Sequence, residues 1–241
     1  MPGLKEATLS GWFNAETGEL FTGFPVGPQD VVLDVGCGPG GYASFCAGRG
    51  ARLILSDIDA SEIEKAKENL KGHTVQMEFH VSDSAPLPVA DATATRIVCS
   101  EVLEHVADPR QVMAELVRAG KPGALYLLTV PDPASEGVLK SVAPPSFYQH
   151  PNHIRIFQHA DFDALISEAG LIAESRDSYG FYWSLWWILY SIGEQAWGVN
   201  LPDAWENIWR EVVNTEKGAE AKRRLDAILP KSQIVIARKP G

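Results

Sequence analysis

The strongest constraint on the fold is a glycine-rich loop that follows directly on an apolar run. Residues 31–42 read Val-Val-Leu-Asp-Val-Gly-Cys-Gly-Pro-Gly-Gly-Tyr, and a second apolar run begins at Arg52 and ends in Asp57. Glycines between a buried strand and a helix let backbone N–H groups approach a ligand closely. An acidic residue about 20 positions beyond such a loop binds the hydroxyls of a ribose in doubly wound folds. The spacing therefore predicts an α/β sheet that binds a ribose-containing ligand.

The residue order within the loop distinguishes two kinds of ribose ligand. A dinucleotide site uses Gly-x-Gly-x-x-Gly, in which the helix dipole faces a pyrophosphate, and this frame can be placed on Gly36, Gly38 and Gly41. The stretch fits Asp-x-Gly-x-Gly-x-Gly better, and that frame begins at Asp34. A carboxylate at the entrance repels a pyrophosphate and attracts a cation. The loop thus favours a ligand with an ammonium or sulfonium group over a nicotinamide dinucleotide.

In this frame the loop resembles motif I of the class I S-adenosylmethionine-dependent methyltransferases, in particular small-molecule members such as the ubiquinone-pathway O-methyltransferases. Later segments resemble the family's further elements in the same order, at residues 82–88, 100–109 and 121–125, followed by a final strand near 233–238. The resemblance extends from about residue 30 to about residue 178. It implies S-adenosylmethionine as the cofactor and methyl transfer as the activity.

The resemblance also implies which residues contact the cofactor. Asp57 would hold the ribose hydroxyls, and Ile58 would pack on the adenine. Asp83, together with the backbone of Ser84, would read the adenine amino group. The methionine part would be surrounded by the loop and the neighbouring strand ends, namely Asp34, Gly36, Cys37, Gly38, Gly40 and Glu101.

The rest of the chain alternates between strand and helix patterns, as in a doubly wound sheet. Strands are predicted near 31–35, 52–56, 76–81, 95–100, 124–130, 171–178 and 233–238. Residues between them show apolar stripes at helical spacing, for example Ile63, Ala66 and Leu70. We therefore expect one domain over residues 1–241, a Rossmann-like fold with a seven-stranded, mostly parallel sheet. Two segments fall outside this pattern and are expected to cap the site: residues 1–29, and an aromatic-rich helical insertion at 179–231 before the last strand.

Composition limits the partners and the location. The net charge is -10 and the pI near 5.1, which argues against a nucleic-acid substrate because phosphate binding needs a basic surface. The basic run Lys222-Arg223-Arg224 is expected to be a solvated helix face. The three cysteines form no Cys-x-x-Cys pair, and we see neither a signal peptide nor a membrane-spanning run. We expect a cytoplasmic protein that acts on a small molecule, with a homodimer possible.

His153 is one candidate for the chemistry. Methyl transfer from a sulfonium requires mainly alignment and exclusion of water, and a base is needed only for an acceptor that starts protonated. His153 begins a His-x-Arg-x-Phe pattern that recurs in the family and lies in the long loop after the fifth predicted strand of the sheet. Two roles remain open for it: a general base, or a residue that pins the loop through hydrogen bonds.

A second candidate cluster lies at the end of the fourth predicted strand, beside the expected position of the methyl group. If a helical turn begins at Glu101, then Glu104 and His105 share a face with it at i+3 and i+4. Two carboxylates and an imidazole suit a divalent metal that holds a catechol, and ubiquinone-pathway members use such a cluster. The alternative is that no metal binds and that His105 positions or packs.

The aromatic stretch at 179–190 is too apolar for an exposed loop. As a helix it places Trp183, Trp186, Trp187 and Tyr190 on one face. These tryptophans, with Trp12 of the N-terminal segment, are predicted to line an acceptor pocket; core packing or a dimer interface is the alternative. We expect a methyltransferase for a small apolar or aromatic acceptor, most plausibly modified at oxygen. The alternatives are a membrane-resting enzyme for a lipid-like quinone or fatty acid, and a scaffold that binds the cofactor without catalysis.

Overall fold

The computed structural model describes residues 3–196 and 200–241. Residues 1–2 of the expected N-terminal segment and 197–199 of the expected insertion lie outside the described residues. In chain order the elements are α1 (Gly3–Leu9), β1 (Trp12–Asn14), β2 (Glu19–Phe21), β3 (Phe24–Pro25), β4 (Val31–Val35), α2 (Gly41–Gly48), β5 (Arg52–Asp57), α3 (Ala60–Leu70), β6 (Met77–Val81), β7 (Ala94–Ser100), α4 (Pro109–Ala119), β8 (Gly120–Pro131), α5 (Pro133–Leu139), a 3-10 turn (Pro145–Tyr148), α6 (His159–Glu168), β9 (Ile172–Tyr179), α7 (Phe181–Ala196), α8 (Leu201–Val213), α9 (Glu216–Ile228) and β10 (Ser232–Arg238).

The main sheet has seven strands in the order β6-β5-β4-β7-β8-β10-β9. The pairs from β6 through β8 are parallel, and β10 runs antiparallel to both β8 and β9. The predicted doubly wound, mostly parallel fold is confirmed. The strand order reverses between β4 and β7, and ligands of such sheets bind outside the carboxyl ends of the strands at this switch point.

Local sequence explains where the central elements begin and which faces they bury. The strands beside the switch point are buried on both faces, which accounts for their continuous apolar runs. Helix α3 begins at Ala60, one residue before the predicted Ser61, because the Asp59 carboxylate accepts the Ser61 N–H and caps the helix. Its predicted stripe is fully buried against the sheet: Ile63, Ala66 and Leu70.

Both segments outside the sheet pattern pack over it. Strands β1–β3 form a small antiparallel sheet whose buried side chains, such as Leu20 and Phe24, join the core on one face of the main sheet. The insertion folds into α7, α8 and α9, with a separate cluster around Tyr182, Trp209 and Val213.

Among the described residues, no helix is long and apolar enough to cross a membrane.

The expectation of a solvated basic run is wrong for its first residue. Lys222 is fully buried, and its Nζ donates to Ser10 Oγ at 2.6 Å and to the Asp226 carboxylate. Glu6 Oε2 of α1 lies 3.4 Å from the same ammonium. The Asp226 carboxylate also accepts the Phe181 N–H at 2.9 Å. This buried group of charges therefore joins α1, α9 and the start of α7.

Candidate functional site

Three glycines in the loop after β4 are required by backbone conformation or by close packing. Gly36, Gly38 and Gly40 have φ values of 72°, 50° and 84°, in the left-handed region that favours glycine. A Cβ on Gly36 would lie 2.2 Å from Val102 Cγ2, and one on Gly40 would lie 3.3 Å from Leu70 Cδ1. A Cβ on Gly38 would meet open space. Gly36 and Gly40 thus permit tight packing, whereas Gly38 leaves the backbone open to a ligand.

Asp57 is held in place at the end of β5, next to this loop. Its Oδ2 accepts the Gly38 N–H at 2.8 Å, and its Oδ1 accepts the Asp59 N–H at 2.9 Å. A carboxylate oxygen can accept more than one hydrogen bond, so both oxygens keep capacity for ribose hydroxyls. Ile58, which follows, is 73% exposed. An exposed apolar side chain beside a polar anchor suits a flat aromatic ring such as adenine.

Asp34 supplies the test of whether the loop fits a cationic cofactor. It is 2% exposed, and its Oδ2 has no hydrogen-bond partner among the described residues. Burial, and then the negative charge of Asp57, raise the pKa of Asp34 to about 7. A buried carboxyl without a partner is costly, and a nearby ammonium or sulfonium would offset that cost. Cys37 is a buried thiol whose pKa is raised by burial, so it contributes shape rather than a nucleophile.

The loop after β6 lies beside Asp57, because the Ser82 N–H donates to the Asp57 backbone oxygen at 2.9 Å. The exposed Asp83 carboxylate accepts the Ala85 N–H at 3.3 Å and keeps lone pairs for an adenine amino group. The Ser84 N–H, in contrast, donates to Ser82 Oγ at 3.1 Å. The expected contact between the Ser84 amide and adenine would require this bond to give way, whereas the Asp83 contact is open.

Glu101 does not share a helical face with Glu104 and His105, so the predicted arrangement of this trio is wrong. Glu101 takes a left-handed φ of 56°, and the residues after it form turns rather than a helix. Its Oε1 accepts Thr129 Oγ1 at 3.0 Å, and its Oε2 accepts Lys231 Nζ at 2.7 Å. Burial alone would raise the pKa of Glu101, but the Lys231 ammonium outweighs burial and holds it below the usual value.

His153 takes the place beside His105 that Glu101 was expected to hold. The two imidazole rings lie 5.0 Å apart, and ligand atoms of Glu104, His105 and His153 all lie within 4.8 Å of one another. His105 Nδ1 lies 3.0 Å from Pro151 O, and His153 Nδ1 lies 3.2 Å from Glu136 Oε2. Both Nδ1 atoms therefore have acceptors, which favours Nε2 as the proton-accepting nitrogen of each ring; His105 Nε2 lies 3.6 Å from Glu104 Oε1.

Arg155 explains why the two histidine segments meet. Its guanidinium donates to the backbone oxygens of Leu103, Val106 and Ala107 at 3.1, 2.7 and 3.0 Å. These bonds hold the turn that carries Glu104 and His105 against the His-x-Arg-x-Phe segment. Arg155 is thus a structural residue of that pattern, whereas His153 lies beside His105.

Chelation tests the metal alternative. Glu104 is fully buried, both of its carboxylate oxygens lack hydrogen-bond partners among the described residues, and burial raises its pKa well above the usual value. A protonated carboxyl is a poor metal ligand, so we expect methyl transfer to continue after exhaustive treatment with a chelator. The measurement is S-adenosylhomocysteine release before and after chelation. A loss that magnesium restores would instead assign Glu104, His105 and His153 as metal ligands.

Trp187 connects the aromatic helix to the histidines. Its ring lies 5.9 Å from that of Phe147 in the 3-10 turn, and Phe147 lies 4.8 Å from the His153 imidazole. Trp187 is half-buried. These rings form a continuous apolar wall that ends at His153, so of the predicted acceptor residues Trp187 has the position expected of one.

The other three predicted acceptor residues make their main ring contacts away from His153. Trp12 is 3% exposed and stacks on Tyr42 of α2 at 4.7 Å, so its buried ring lacks an open face for an acceptor. Trp183 contacts Tyr182 at 4.9 Å within the cluster that joins α7 to α8. Trp186 packs in the same cluster, stacks on Tyr190 at 5.3 Å and lies 5.0 Å from the Trp187 ring. Packing accounts for Trp12 and Trp183, whereas Trp186 also supports Trp187 from behind.

Comparison with known proteins identifies methyltransferases similar to this chain. Residues 33–128 match the family described as Methyltransferase domain. Methyltransferase GfsG of Streptomyces halstedii is 30% identical over 161 residues, which cover 64% of this chain and 57% of that protein. The ubiquinone biosynthesis O-methyltransferase of Hahella chejuensis is 35% identical over 43% of this chain and 44% of its own length. The tRNA 5-carboxymethoxyuridine methyltransferase of Escherichia coli is 36% identical over 43% of this chain and 41% of its own length.

Solved structures give the same fold. The [4+2]-cyclase SpnF superposes with a TM-score of 0.62 at 18% identity, covering 96% of this chain and 87% of that one. Residues 33–128 therefore form a methyltransferase domain of the class I S-adenosylmethionine-dependent type, with S-adenosylmethionine as its cofactor. The chain spans about half the length of the curated relatives it matches.

Asp57 offers a direct test of the cofactor site. Asp57→Ala removes a carboxylate that would accept hydrogen bonds from the ribose, and bonds to a charged group contribute about 1.5 to 3 kcal/mol. S-adenosylmethionine affinity should therefore fall about 10- to 150-fold, as measured by calorimetry. Unchanged affinity in a folded variant would remove Asp57 from the site.

Proposed function

We propose that this protein methylates a small apolar or aromatic acceptor at a hydroxyl oxygen, with His153 as the general base. The observation that carries the proposal is the position of His153 between a carboxylate and an aromatic wall. Its Nδ1 lies 3.2 Å from the buried Glu136 carboxylate, and its ring packs 4.8 Å from Phe147. A histidine that only pinned the loop would not require a buried acid behind it and aromatic rings in front.

The chemistry follows from these contacts. When bound, S-adenosylmethionine supplies a methyl group already activated by its sulfonium. Glu136 orients the His153 ring by accepting Nδ1–H, which leaves Nε2 as the proton acceptor. Nε2 takes the proton of a phenol or alcohol as the acceptor oxygen attacks, and later releases it to solvent. The half-buried wall of Phe147 and Trp187 would hold the apolar part of the acceptor and exclude water.

Charge supports an acceptor that is not a nucleic acid. The chain carries a net charge of -10, and the carboxylate beside His153 belongs to Glu136, which is 1% exposed. A phosphate backbone needs a basic surface for binding. Although the Escherichia coli relative acts on tRNA, we propose a small, uncharged acceptor for this chain.

The test is turnover with matched acceptors. S-adenosylhomocysteine release is measured with a panel of phenols and catechols, each beside its methyl ether and a carboxylate analogue. We expect release with hydroxyl acceptors and none with the ethers. If the cofactor binds but no panel member yields product, the hydroxyl proposal fails. The better account is then a scaffold that binds the cofactor without catalysis, or a different reaction, such as the one that the similar fold of the cyclase SpnF supports.

Trp187 provides a finer test of the acceptor wall. Trp187→Ala should raise the acceptor KM about 2- to 12-fold, since an aromatic contact of this kind contributes about 0.5 to 1.5 kcal/mol, with cofactor affinity unchanged. Trp183→Ala is the matched control. Because Trp183 packs on Tyr182, this variant should lower the melting temperature without changing the KM. A KM that responds to Trp183 and not to Trp187 would place the acceptor elsewhere.

A further inference from the structure

Lys231 lies where the cap insertion rejoins the sheet, and its backbone is fixed from two sides. The Lys231 N–H donates to Tyr179 O at 2.8 Å, and the Asp132 N–H donates to Lys231 O at 2.9 Å. A Cβ on Gly180 would lie 3.0 Å from Lys231 Cβ. The two ends of the insertion are therefore closed against each other, and the Lys231 side chain starts from a rigid point above the strand ends.

That side chain reaches across the sheet to Glu101. Lys231 Nζ donates to Glu101 Oε2 at 2.7 Å, while Thr129 Oγ1 donates to Oε1 at 3.0 Å and also lies 2.8 Å from Ser100 Oγ. Both carboxylate oxygens are thereby anchored. The Glu101 side chain is 30% exposed, whereas that of Lys231 is 16% exposed. The two charges cancel, but the carboxylate of Glu101 is more exposed than the ammonium of Lys231.

Glu101 also adjoins the cofactor loop. A Cβ on Gly36 would lie 2.2 Å from Cγ2 of Val102, the residue after Glu101. Strand β4 ends just before Gly36 and strand β7 just before Glu101, and the two strands flank the switch point of the sheet. A carboxylate here faces the region where the methionine part of the cofactor is expected.

We propose that Lys231 is a positioning residue that holds the Glu101 carboxylate toward the crevice at the strand ends, where its negative charge favours the cationic S-adenosylmethionine over the neutral product S-adenosylhomocysteine. Without the ammonium, the Glu101 carboxylate would lose the hydrogen bond at Oε2 and its nearest cation, and a largely buried carboxyl without a cation takes up a proton. The site would then lose its preference for a positive charge. The inference depends on cofactor binding and not on the identity of the acceptor.

Calorimetry with the two cofactor forms tests this role without any acceptor. The affinity ratio of S-adenosylmethionine to S-adenosylhomocysteine is measured for the unmodified chain, Glu101→Gln, Lys231→Met and the double variant. We expect each single change to lower the ratio about tenfold, the usual size of one such charge interaction. The double variant should lower it no further, because both changes remove the same carboxylate. Lys121→Met, at an exposed position of β8, is the control and should leave the ratio unchanged.

Two further variants separate charge from structure. Lys231→Arg should retain the ratio, because it keeps the cation, whereas Lys231→Gln should lose it as Lys231→Met does. Lys231→Gln also serves if Lys231→Met does not fold. A merely structural lysine would weaken both cofactor forms equally and leave their ratio intact. That result, or effects of Lys231 and Glu101 that add fully in the double variant, would overturn the proposal.

Discussion

His153→Ala should lower turnover with a hydroxyl acceptor about 100- to 10,000-fold, because a positioned general base contributes that much to the rate. Cofactor affinity should remain nearly unchanged, since the contacts found for His153 are with Glu136, His105 and Phe147 rather than with the glycine loop. Single-turnover rates at saturating cofactor give the chemical step, and calorimetry gives the affinity. The two measurements together separate catalysis from binding.

Two companion variants make this result interpretable. Glu136→Gln keeps the shape of the residue behind His153 but removes its charge, so we expect a smaller loss of rate than for His153→Ala. His159→Ala is the matched control, because His159 also pairs with a carboxylate, Asp132 at 2.8 Å, but its side chain is 67% exposed. It should leave the rate unchanged. A His153→Ala variant with normal turnover and a lower melting temperature would show that His153 only pins its loop.

The neighbourhood of the proposed cofactor residues could be predicted because its determinants are local in sequence. The loop from Gly36 to Gly40 and the residues around Asp57 belong to two consecutive strand-to-helix connections, and parallel strands bring their carboxyl ends to one edge. Spacing along the chain therefore translates directly into neighbourhood in space. The same reasoning placed the α3 boundary within one residue.

The contacts around the proposed acceptor site could not be predicted because they depend on pairs far apart in the chain. Glu101 and Lys231 are 130 positions apart, and nothing near either residue marks the other as its partner. The helical spacing of Glu101 and Glu104 suggested a shared face, but the left-handed backbone at Glu101 ends that periodicity. The sequence does not mark Glu136 as a site residue either. An acidic residue on a short helix such as α5 is expected to be exposed, whereas Glu136 is only 1% exposed.

Lys222 also has partners that lie far from it in the sequence. Arg223 and Arg224 beside it are exposed and pair with Glu220, as the basic run suggested. Lys222 points the other way, into the junction of α1 and α9, where its partner Ser10 is 212 positions away. Charge alone cannot distinguish these neighbours, because the helical rotation between them decides which one faces the core.

Lys222→Met should lower the free energy of unfolding by about 3 to 5 kcal/mol, since it leaves the buried Glu6 and Asp226 carboxyls without their cation. Urea denaturation measures this change, and Arg224→Met, which breaks an exposed pair, should cost less than about 1 kcal/mol.

The loss from Lys222→Met should also depend on pH. Burial raises the pKa of Glu6 to about 7 even though Lys222 lowers it, so removing the ammonium raises it further. A carboxyl with a raised pKa in the folded state binds its proton more tightly than in the unfolded state, and stability from this group therefore increases as the pH falls through the folded pKa toward the unfolded value. The loss should be smaller at about pH 5.5 than at about pH 8. An equal loss at both values would mean that the charge on Glu6 does not contribute, and that Lys222 stabilises the junction through its contacts with Ser10 and Asp226 alone.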